Sequence, residues 1–209
     1  MATIRTLSPR NKPVQQRALA RREQMLAATA ELLEEVGQDD LTTILVAKRV
    51  GVSVGTLYHY FPNKYAILYA LAEQWLGEWN LALQELEAVK IETLSLKKFV
   101  EKVMDRTLLV YKNQQGILPL VQAMSGVPEL KELDNQHDEL IIASMARMFR
   151  RLEITDDCAE LSRLGSEWME VSHALLLVIV EQNETDSTRS LSDRKFLSLC
   201  LLERAKSRF

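Results

Sequence analysis

The sequence is poor in glycine, proline and cysteine, and this scarcity limits the classes of protein to which it can belong. Its 209 residues include seven glycines, five prolines and two cysteines, whereas Leu, Ala, Glu, Lys and Gln are abundant. This balance favours helices over strands. Cys158 and Cys200 lie in segments of helical apolar periodicity without metal-ligand spacing, which favours reduced, packed thiols. We expect an all-α protein of a reducing compartment.

The sequence also lacks a long apolar run. The longest, residues 174–180, is far shorter than the roughly 20 residues that a membrane-spanning helix needs. The N-terminus has no apolar segment of the signal-peptide type. We expect a soluble, cytoplasmic protein with no membrane partner.

Patterns that mark catalytic centres are missing as well. The histidines His59, His137 and His173 are dispersed, and there is no HExxH motif, Gly-rich phosphate loop or GxSxG motif. His137 stands beside Asp138 and Glu139 in a run that we interpret as the solvated face of a helix. We therefore expect neither an enzyme nor a protein with a metal or a cofactor.

The small net charge of −3 is unevenly distributed along the chain. Residues 1–64 carry nine Lys and Arg against six Asp and Glu, and residues 65–209 carry 17 against 23. A basic N-terminal part supports nucleic-acid binding, although an asymmetry this small is weak support. Residues 1–16, with three basic residues and no acid, predict a flexible basic arm that either follows DNA or has no role.

Three helices, the second and third of them short, are predicted within residues 17–64. The first has apolar residues at three- and four-residue steps and ends at Gly37, which can adopt a positive φ. The second is capped by Thr42 or Thr43 and ends at Gly51 after about two turns.

The third helix, residues 54–60, is capped by Ser53 and cannot continue past Pro62. Leu57 and Phe61 have the spacing of inward-facing residues. Two short helices joined by a three-residue turn that contains glycine form a helix-turn-helix, whose second helix enters the major groove of DNA.

Gly55 is an unusual residue for the first turn of this third helix. Glycine there costs up to about 1 kcal/mol relative to alanine. Either the glycine arose by neutral drift and has no role, or DNA approaches the helix too closely for a side chain.

The segment from Leu41 to Lys64, with GVSVGTLYHYFPNK at residues 51–64, resembles the signature of the TetR family of bacterial transcription regulators. The resemblance covers roughly residues 20–70, with Val46 where isoleucine is commoner. It implies a three-helix DNA-binding domain, residues 17–64, and a helical ligand-binding and dimerisation domain of about six helices, residues 65–209. It also implies a transcriptional regulator that binds a palindromic operator as a homodimer, typically a repressor released by a small ligand.

The resemblance implies roles for individual residues of the helix-turn-helix. Residues at or near bases are Val54, Gly55, Thr56, Tyr58 and His59. Residues at phosphates are Thr43, Ser53, Tyr60 and Lys64. The chemistry agrees, since methyl groups suit thymine and hydroxyl and ammonium groups suit phosphate. Aromatic packing for Tyr58 and Tyr60, and plain exposure for His59, remain alternatives.

Residues beyond Asn63, which caps a long fourth helix, predict further helices. They cover residues 94–113, 116–124, 128–152, 156–181 and 191–208. A polar break at residues 182–189 precedes Ser190 and Asp193, which have the spacing of a capping box.

The last two helices are the predicted dimer interface. Residues 174–180 are apolar all round, and residues 196–202 nearly so, which indicates burial on more than one side. A core helix packed within one monomer is the alternative.

Large, adaptable side chains between the two ends of the chain are candidates for a ligand pocket. They are Trp75, Trp79, Met104, Leu108, Tyr111, Met124, Met145, Phe149, Trp168, Met169 and His173. Ordinary core packing is the alternative for each. The expected ligand is mainly hydrophobic, with His173, Tyr111 or Gln122 fixing its orientation. A helical ligand-binding or scaffold protein with a vestigial DNA-binding head is the other reading of the whole chain.

Overall fold

The computed structural model describes residues 16–208, which contain α-helices and no strand. The predicted all-α fold is thereby confirmed. The helices of the described range are α1 Gln16–Asp40, α2 Thr43–Val50, α3 Val54–Tyr60, α4 Lys64–Ala88, α5 Leu96–Asn113, α6 Ile117–Gly126, α7 Pro128–Arg151, α8 Cys158–Glu181 and α9 Glu184–Lys206. The predicted basic arm lies outside the described residues except for Gln16. None of the described helices has the length and apolar character that crossing a membrane requires.

The caps of α2 and α3 are those that the sequence predicts. Thr42 Oγ1 accepts the backbone N–H of Leu45 at 3.2 Å, and Ser53 Oγ accepts that of Thr56 at 3.0 Å. Gly51 ends α2 in the left-handed conformation, with φ 72° and ψ 36°. These hydrogen bonds satisfy backbone N–H groups that have no partner within the helix, and they therefore stabilise the starts of two very short helices.

The predicted end of α1 at Gly37 is only partly right. Gly37 does have a positive φ of 71°, and its ψ of 178° is not helical, so it kinks the chain. The helix nevertheless resumes and continues to Asp40. The glycine therefore marks a kink within α1, one turn before its end.

Asn63 caps α4 as predicted, since its Oδ1 accepts the N–H of Ala66 at 3.0 Å. The apolar face that the spacing predicts is buried along the whole helix. It consists of Ile67, Leu68, Leu71, Trp75, Leu76, Trp79, Leu83 and Leu86.

The predicted start of the last helix was wrong. Ser190 and Asp193 lie within α9, and the helix begins at Glu184 with Asn183 as its N-cap. Asn183 Oδ1 accepts the N–H of Asp186 at 3.1 Å, and its Nδ2 donates to the Asp186 carboxylate at 2.8 Å. The acidic residues in the first turn also interact favourably with the positive end of the helix dipole. The polar stretch is thus the exposed first half of a helix.

The described chain divides into two compact units. The first contains residues 16–76 and 114–134, and the second contains residues 77–113 and 135–208. Helix α6, which the sequence grouped with the C-terminal domain, belongs to the first unit. The functional boundary after residue 64 stays a prediction.

Helix α6 packs closely on α1 within the first unit. Gly116, with φ +69°, precedes α6, and a Cβ there would lie 2.7 Å from the carbonyl oxygen of Ala30. Its N–H donates to Glu34 Oε1 at 2.8 Å, and the Gln115 side chain donates to Glu34 Oε2 at 2.9 Å. Both the positive φ and the contact with backbone require glycine here.

Replacing Gly116 by alanine should therefore destabilise the protein. We expect a loss of about 2 kcal/mol, or a melting temperature lower by roughly 4–8 °C. The matched control is Gly126→Ala at the other end of α6, where a Cβ would meet only the Gln38 side chain at 3.9 Å. Equal melting temperatures for the two variants would contradict the close packing of α6 on α1.

Candidate functional site

Helix α3 presents most of its side chains to solvent. Leu57 and the following Phe61 are fully buried, which confirms that they face inward. The remaining α3 residues are exposed or half-buried: Val54, Gly55, Thr56, Tyr58, His59 and Tyr60. An exposed outer face on the second helix of a helix-turn-helix is what entry into a major groove requires.

Gly55 has no steric reason within the described chain to be a glycine. The nearest heavy atom to an added Cβ would be Ser53 Oγ at 3.8 Å, which is an ordinary contact. The φ of Gly55 is not in the positive region, which is confined to Gly37, Gly51 and Gly116 among the described glycines. The fold itself would therefore accept a side chain at this position.

Hydroxyl groups at the two ends of the helix-turn-helix have partners inside it. Tyr58 Oη and Thr43 Oγ1 lie 3.2 Å apart and connect α3 with the start of α2. Ser53 Oγ, the α3 cap, lies 2.8 Å from Thr56 Oγ1. The Tyr60 ring stands edge-on to that of His59 at 5.7 Å. The predicted contacts of Thr56, Tyr58 and His59 near bases, and of Thr43, Ser53 and Tyr60 with phosphates, stay predictions.

Lys64, the first residue of α4, connects that helix to the end of α1. Its Nζ donates to the carbonyl oxygens of Gln38 at 3.1 Å and Asp39 at 3.3 Å, where α1 ends. A cation is favourable at the negative end of a helix dipole. An ammonium group has three hydrogens, so one remains for a phosphate oxygen.

Substituting Lys64 by alanine separates these two roles. If Lys64 binds phosphate, we expect weaker binding to all DNA sequences and a salt slope of log K lowered by about one unit. Titrations at several salt concentrations measure this slope. Lys90→Ala, which removes an exposed charge from the second unit, should change neither quantity. A lower melting temperature with an unchanged slope would mean that Lys64 only secures α1.

A basic side chain of the helix-turn-helix forms ion pairs within the protein. Arg49 of α2 donates to Glu31 at 3.0 Å and to Glu35 at 2.5 Å. The hydrogen bond from Arg49 holds the pKa of the Glu35 carboxyl below its ordinary value. Arg49 thus braces α2 against α1, and its charge is not left free for DNA.

The side chains predicted to line a ligand pocket are buried, apart from the half-buried His173. Trp75 and Met124 belong to the first unit and the other nine to the second. Gln122, proposed to orient a ligand, is exposed. Two surface hollows of about 230 and 390 Å³, on α8–α9 and α5–α9, have none of these residues in their walls. Pocket lining therefore stays a prediction.

Two aromatic clusters form the centre of the second unit. In the first, Trp79 contacts Tyr111 edge-on at 5.7 Å, and Tyr111 Oη lies 2.5 Å from His173 Nδ1. In the second, the Trp168 ring lies 5.5 Å from Phe149 and 6.3 Å from Phe99. The sequence analysis singled out neither Phe99 nor Arg194, and the guanidinium of Arg194 stands over the Trp168 ring.

The interpretation of His137 as a solvated residue was wrong. Its side chain is 5% exposed and faces Trp79, with 6.2 Å between the ring centroids. Burial lowers the pKa of His137 to about 4, so its ring is neutral at neutral pH. The charged residues beside it in the sequence point to other sides of α7.

The fold and the exposed α3 define a class, the helix-turn-helix transcription regulators with a helical second domain. Residues 25–71 match the family of bacterial regulatory proteins named tetR, and residues 95–202 match the tetracyclin repressor-like C-terminal domain. The second match alone spans more than half of the chain. The protein belongs to the TetR family of DNA-binding transcription regulators, which are not enzymes.

The individual relatives have low sequence identity to this chain. The chain is 29% identical over 134 residues to the HTH-type transcriptional regulator BetI of Stenotrophomonas maltophilia, covering 63% of this chain and 68% of that one. BetI 1 of Chromohalobacter salexigens is 28% identical over 133 residues, covering 63% and 66%.

Solved structures of TetR-family regulators share the fold. The regulator from Mesorhizobium loti has a TM-score of 0.68 at 16% identity, covering 92% of this chain and 98% of that one. The regulator from Haloarcula marismortui has a TM-score of 0.71 at 16% identity, covering 89% and 98%. At such identities the similarity concerns the fold alone.

Proposed function

We propose that this regulator binds a palindromic operator as a homodimer, in the cytoplasm, and represses transcription until a small, mainly hydrophobic effector releases it. The observation that supports DNA binding is Gly55, a glycine that the described fold does not require, in the first turn of the exposed helix α3. Close approach of DNA gives that glycine a physical reason.

The assignment of DNA contacts follows the exposed face of α3. Val54, Gly55, Thr56, Tyr58 and His59 face the bases, and the hydroxyls of Thr43, Ser53 and Tyr60 together with Lys64 hold phosphates. No Arg or Asn stands on α3. Specificity therefore depends partly on DNA shape and on the distance between the two recognition helices.

Dimerisation through α8 and α9 is supported by apolar side chains that the monomer leaves exposed. Val171 and Val178 of α8 are 45% and 50% exposed, and Leu197 of α9 is 52% exposed. Residues 171, 174 and 178 follow one face of α8 at steps of three and four, with Leu197 and Cys200 spaced likewise on α9. An apolar face of this kind is buried by a second copy of the chain in our proposal.

The effector is proposed to bind among the aromatic and methionine side chains of the second unit. These are polarizable groups that can rearrange around a ligand. Effector binding and DNA binding are coupled if the effector prefers a dimer in which the spacing of the two recognition helices does not suit DNA. By linkage, the operator then binds the effector-loaded dimer more weakly, by the same coupling free energy with which the operator weakens effector binding. Helix α4 starts just after α3 and continues to Ala88, and we propose it as the lever.

A reporter assay tests the sign of regulation. The protein is expressed beside a reporter gene whose promoter carries the selected operator. Repression predicts lower reporter output than with an empty vector, and higher output would make the protein an activator. Unchanged output, together with DNA binding that vanishes as salt is raised, would favour a vestigial DNA-binding head.

A further inference from the structure

Arg194 of α9 is a cation buried inside the second unit. Only 2% of the surface of Arg194 is exposed to solvent. Its guanidinium donates to the hydroxyls of Ser172 and Ser198 and, at 3.4 Å, to the carbonyl oxygen of Trp168. Its central carbon lies 5.4 Å from the centroid of the Trp168 ring. All the groups that bind it are therefore neutral.

The two serines are oriented to accept from the arginine. Ser172 Oγ donates its own hydrogen to the carbonyl oxygen of Trp168, and Ser198 Oγ donates to that of Arg194 at 2.8 Å. Their remaining lone pairs face the guanidinium. Neither hydroxyl brings a negative charge, so the arrangement solvates the cation without neutralising it.

A counter-charge for Arg194 is missing within residues 16–208. No carboxylate there lies within ion-pair distance of the guanidinium, and its Nε–H has no hydrogen-bond partner in that range. Burial lowers the pKa of Arg194 to about 10, which still leaves the side chain protonated at neutral pH. Buried charges in proteins are normally paired, because desolvation of a lone ion is costly.

An aromatic wall stands beside this cation. Trp168 lies under the guanidinium, and its ring contacts those of Phe149 at 5.5 Å and Phe99 at 6.3 Å. The site thus combines two features: the positive charge of Arg194 with its unused N–H donor, and three aromatic rings beside it. A molecule with a carboxylate at one end and an apolar body complements both features.

We propose that Arg194 binds the carboxylate of the effector, and that Phe99, Phe149 and Trp168 hold its apolar part. The inference rests on the proposed function, that the helical domain senses a small molecule, and it names the chemical class as an apolar monocarboxylate. Binding supplies the missing counter-charge and a partner for Nε–H.

Matched acids and amides test this inference on the full-length protein. The probes are octanoate, decanoate, 3-phenylpropanoate and 4-phenylbutyrate, each compared with its primary amide by calorimetry and thermal shift. At least one acid should bind, about tenfold or more tightly than its amide, a difference of the size that one charged hydrogen bond provides. Binding of no acid, equal binding of acid and amide, or an equal shift with chloride or sulfate would overturn the inference.

Variants assign the effect to Arg194. Arg194→Met should abolish the preference for acid over amide, whereas Arg189→Met, which removes an exposed charge from the same helix, should preserve it. Should Arg194→Met fail to fold, the Nε–H resonance of Arg194 in the wild type, assigned by its loss in Arg194→Lys, should shift on adding the acid. An unchanged preference in the folded Arg194→Met, or an unmoved resonance, would overturn the inference. Operator binding of the same wild-type sample shows separately whether the proposed function holds.

Discussion

Replacing Gly55 by leucine should abolish specific operator binding and leave the protein folded. The new side chain projects from the outer face of α3, where a Cβ would make only an ordinary contact with Ser53 Oγ at 3.8 Å and the backbone has no positive φ. Alanine or leucine in a helix is more favourable than glycine by up to about 1 kcal/mol, so the melting temperature should stay the same or rise. Operator affinity, measured by fluorescence anisotropy, should fall by about a hundredfold or more, because loss of a close approach displaces every contact of the recognition helix.

The control for Gly55→Leu is Gly77→Leu in α4. An added Cβ at Gly77 would have no heavy atom within 4 Å, whereas at Gly55 it would meet Ser53 Oγ at 3.8 Å. Both positions therefore have room for a Cβ, but Gly77 lies outside the helix-turn-helix. Its variant should bind the operator like the wild type. Undiminished affinity in Gly55→Leu would show that α3 does not approach DNA at this residue.

Replacing Leu197 by glutamate should convert the dimer into a folded monomer. Leu197 is 52% exposed in the single chain, so a charge there costs little until a second copy covers it. Operator affinity should fall by about a hundredfold or more, because one recognition helix lacks the gain that coupled binding of two gives. Analytical ultracentrifugation measures the mass, and anisotropy measures the affinity.

Leu109→Glu provides the comparison for the dimer prediction. Leu109 of α5 belongs to the same unit and is 49% exposed, but it lies outside α8 and α9. This variant should remain dimeric and bind DNA normally. A dimeric Leu197→Glu, or a monomer that keeps full operator affinity, would place the interface elsewhere or remove dimerisation from the mechanism.

Local chemistry explains why the helix-turn-helix could be predicted so closely. Thr42, Gly51, Ser53 and Asn63 act within three or four residues of their own positions, so their roles are visible in the sequence. The start of α9 shows the limit of this reasoning. Ser190 had the spacing of a cap, but Asn183 and two acids already start the helix upstream, and nothing in residues 184–193 interrupts it.

Contacts between distant segments could not be predicted. Lys64 binds carbonyl groups 25 and 26 residues earlier in the chain, and periodicity carries no information about such pairs. Gly116 likewise requires the backbone of α1 beside it, which puts α6 in the first unit. In the second unit the large apolar side chains were recognised as buried, because hydrophobicity is a property of each residue. His137 and Arg194 were missed, because charged or polar residues are usually exposed.

Selection of bound DNA from a random-sequence library by the purified full-length protein tests the central claim most directly. At moderate salt the bound fraction is sequenced, and our account predicts enrichment of a single palindrome whose half-sites lie one helical turn, about 10 base pairs, or a multiple of it apart. The Gly55→Leu protein should enrich nothing. Recovery of no enriched sequence by the wild type, with binding lost as salt is raised, would contradict a sequence-specific dimeric regulator.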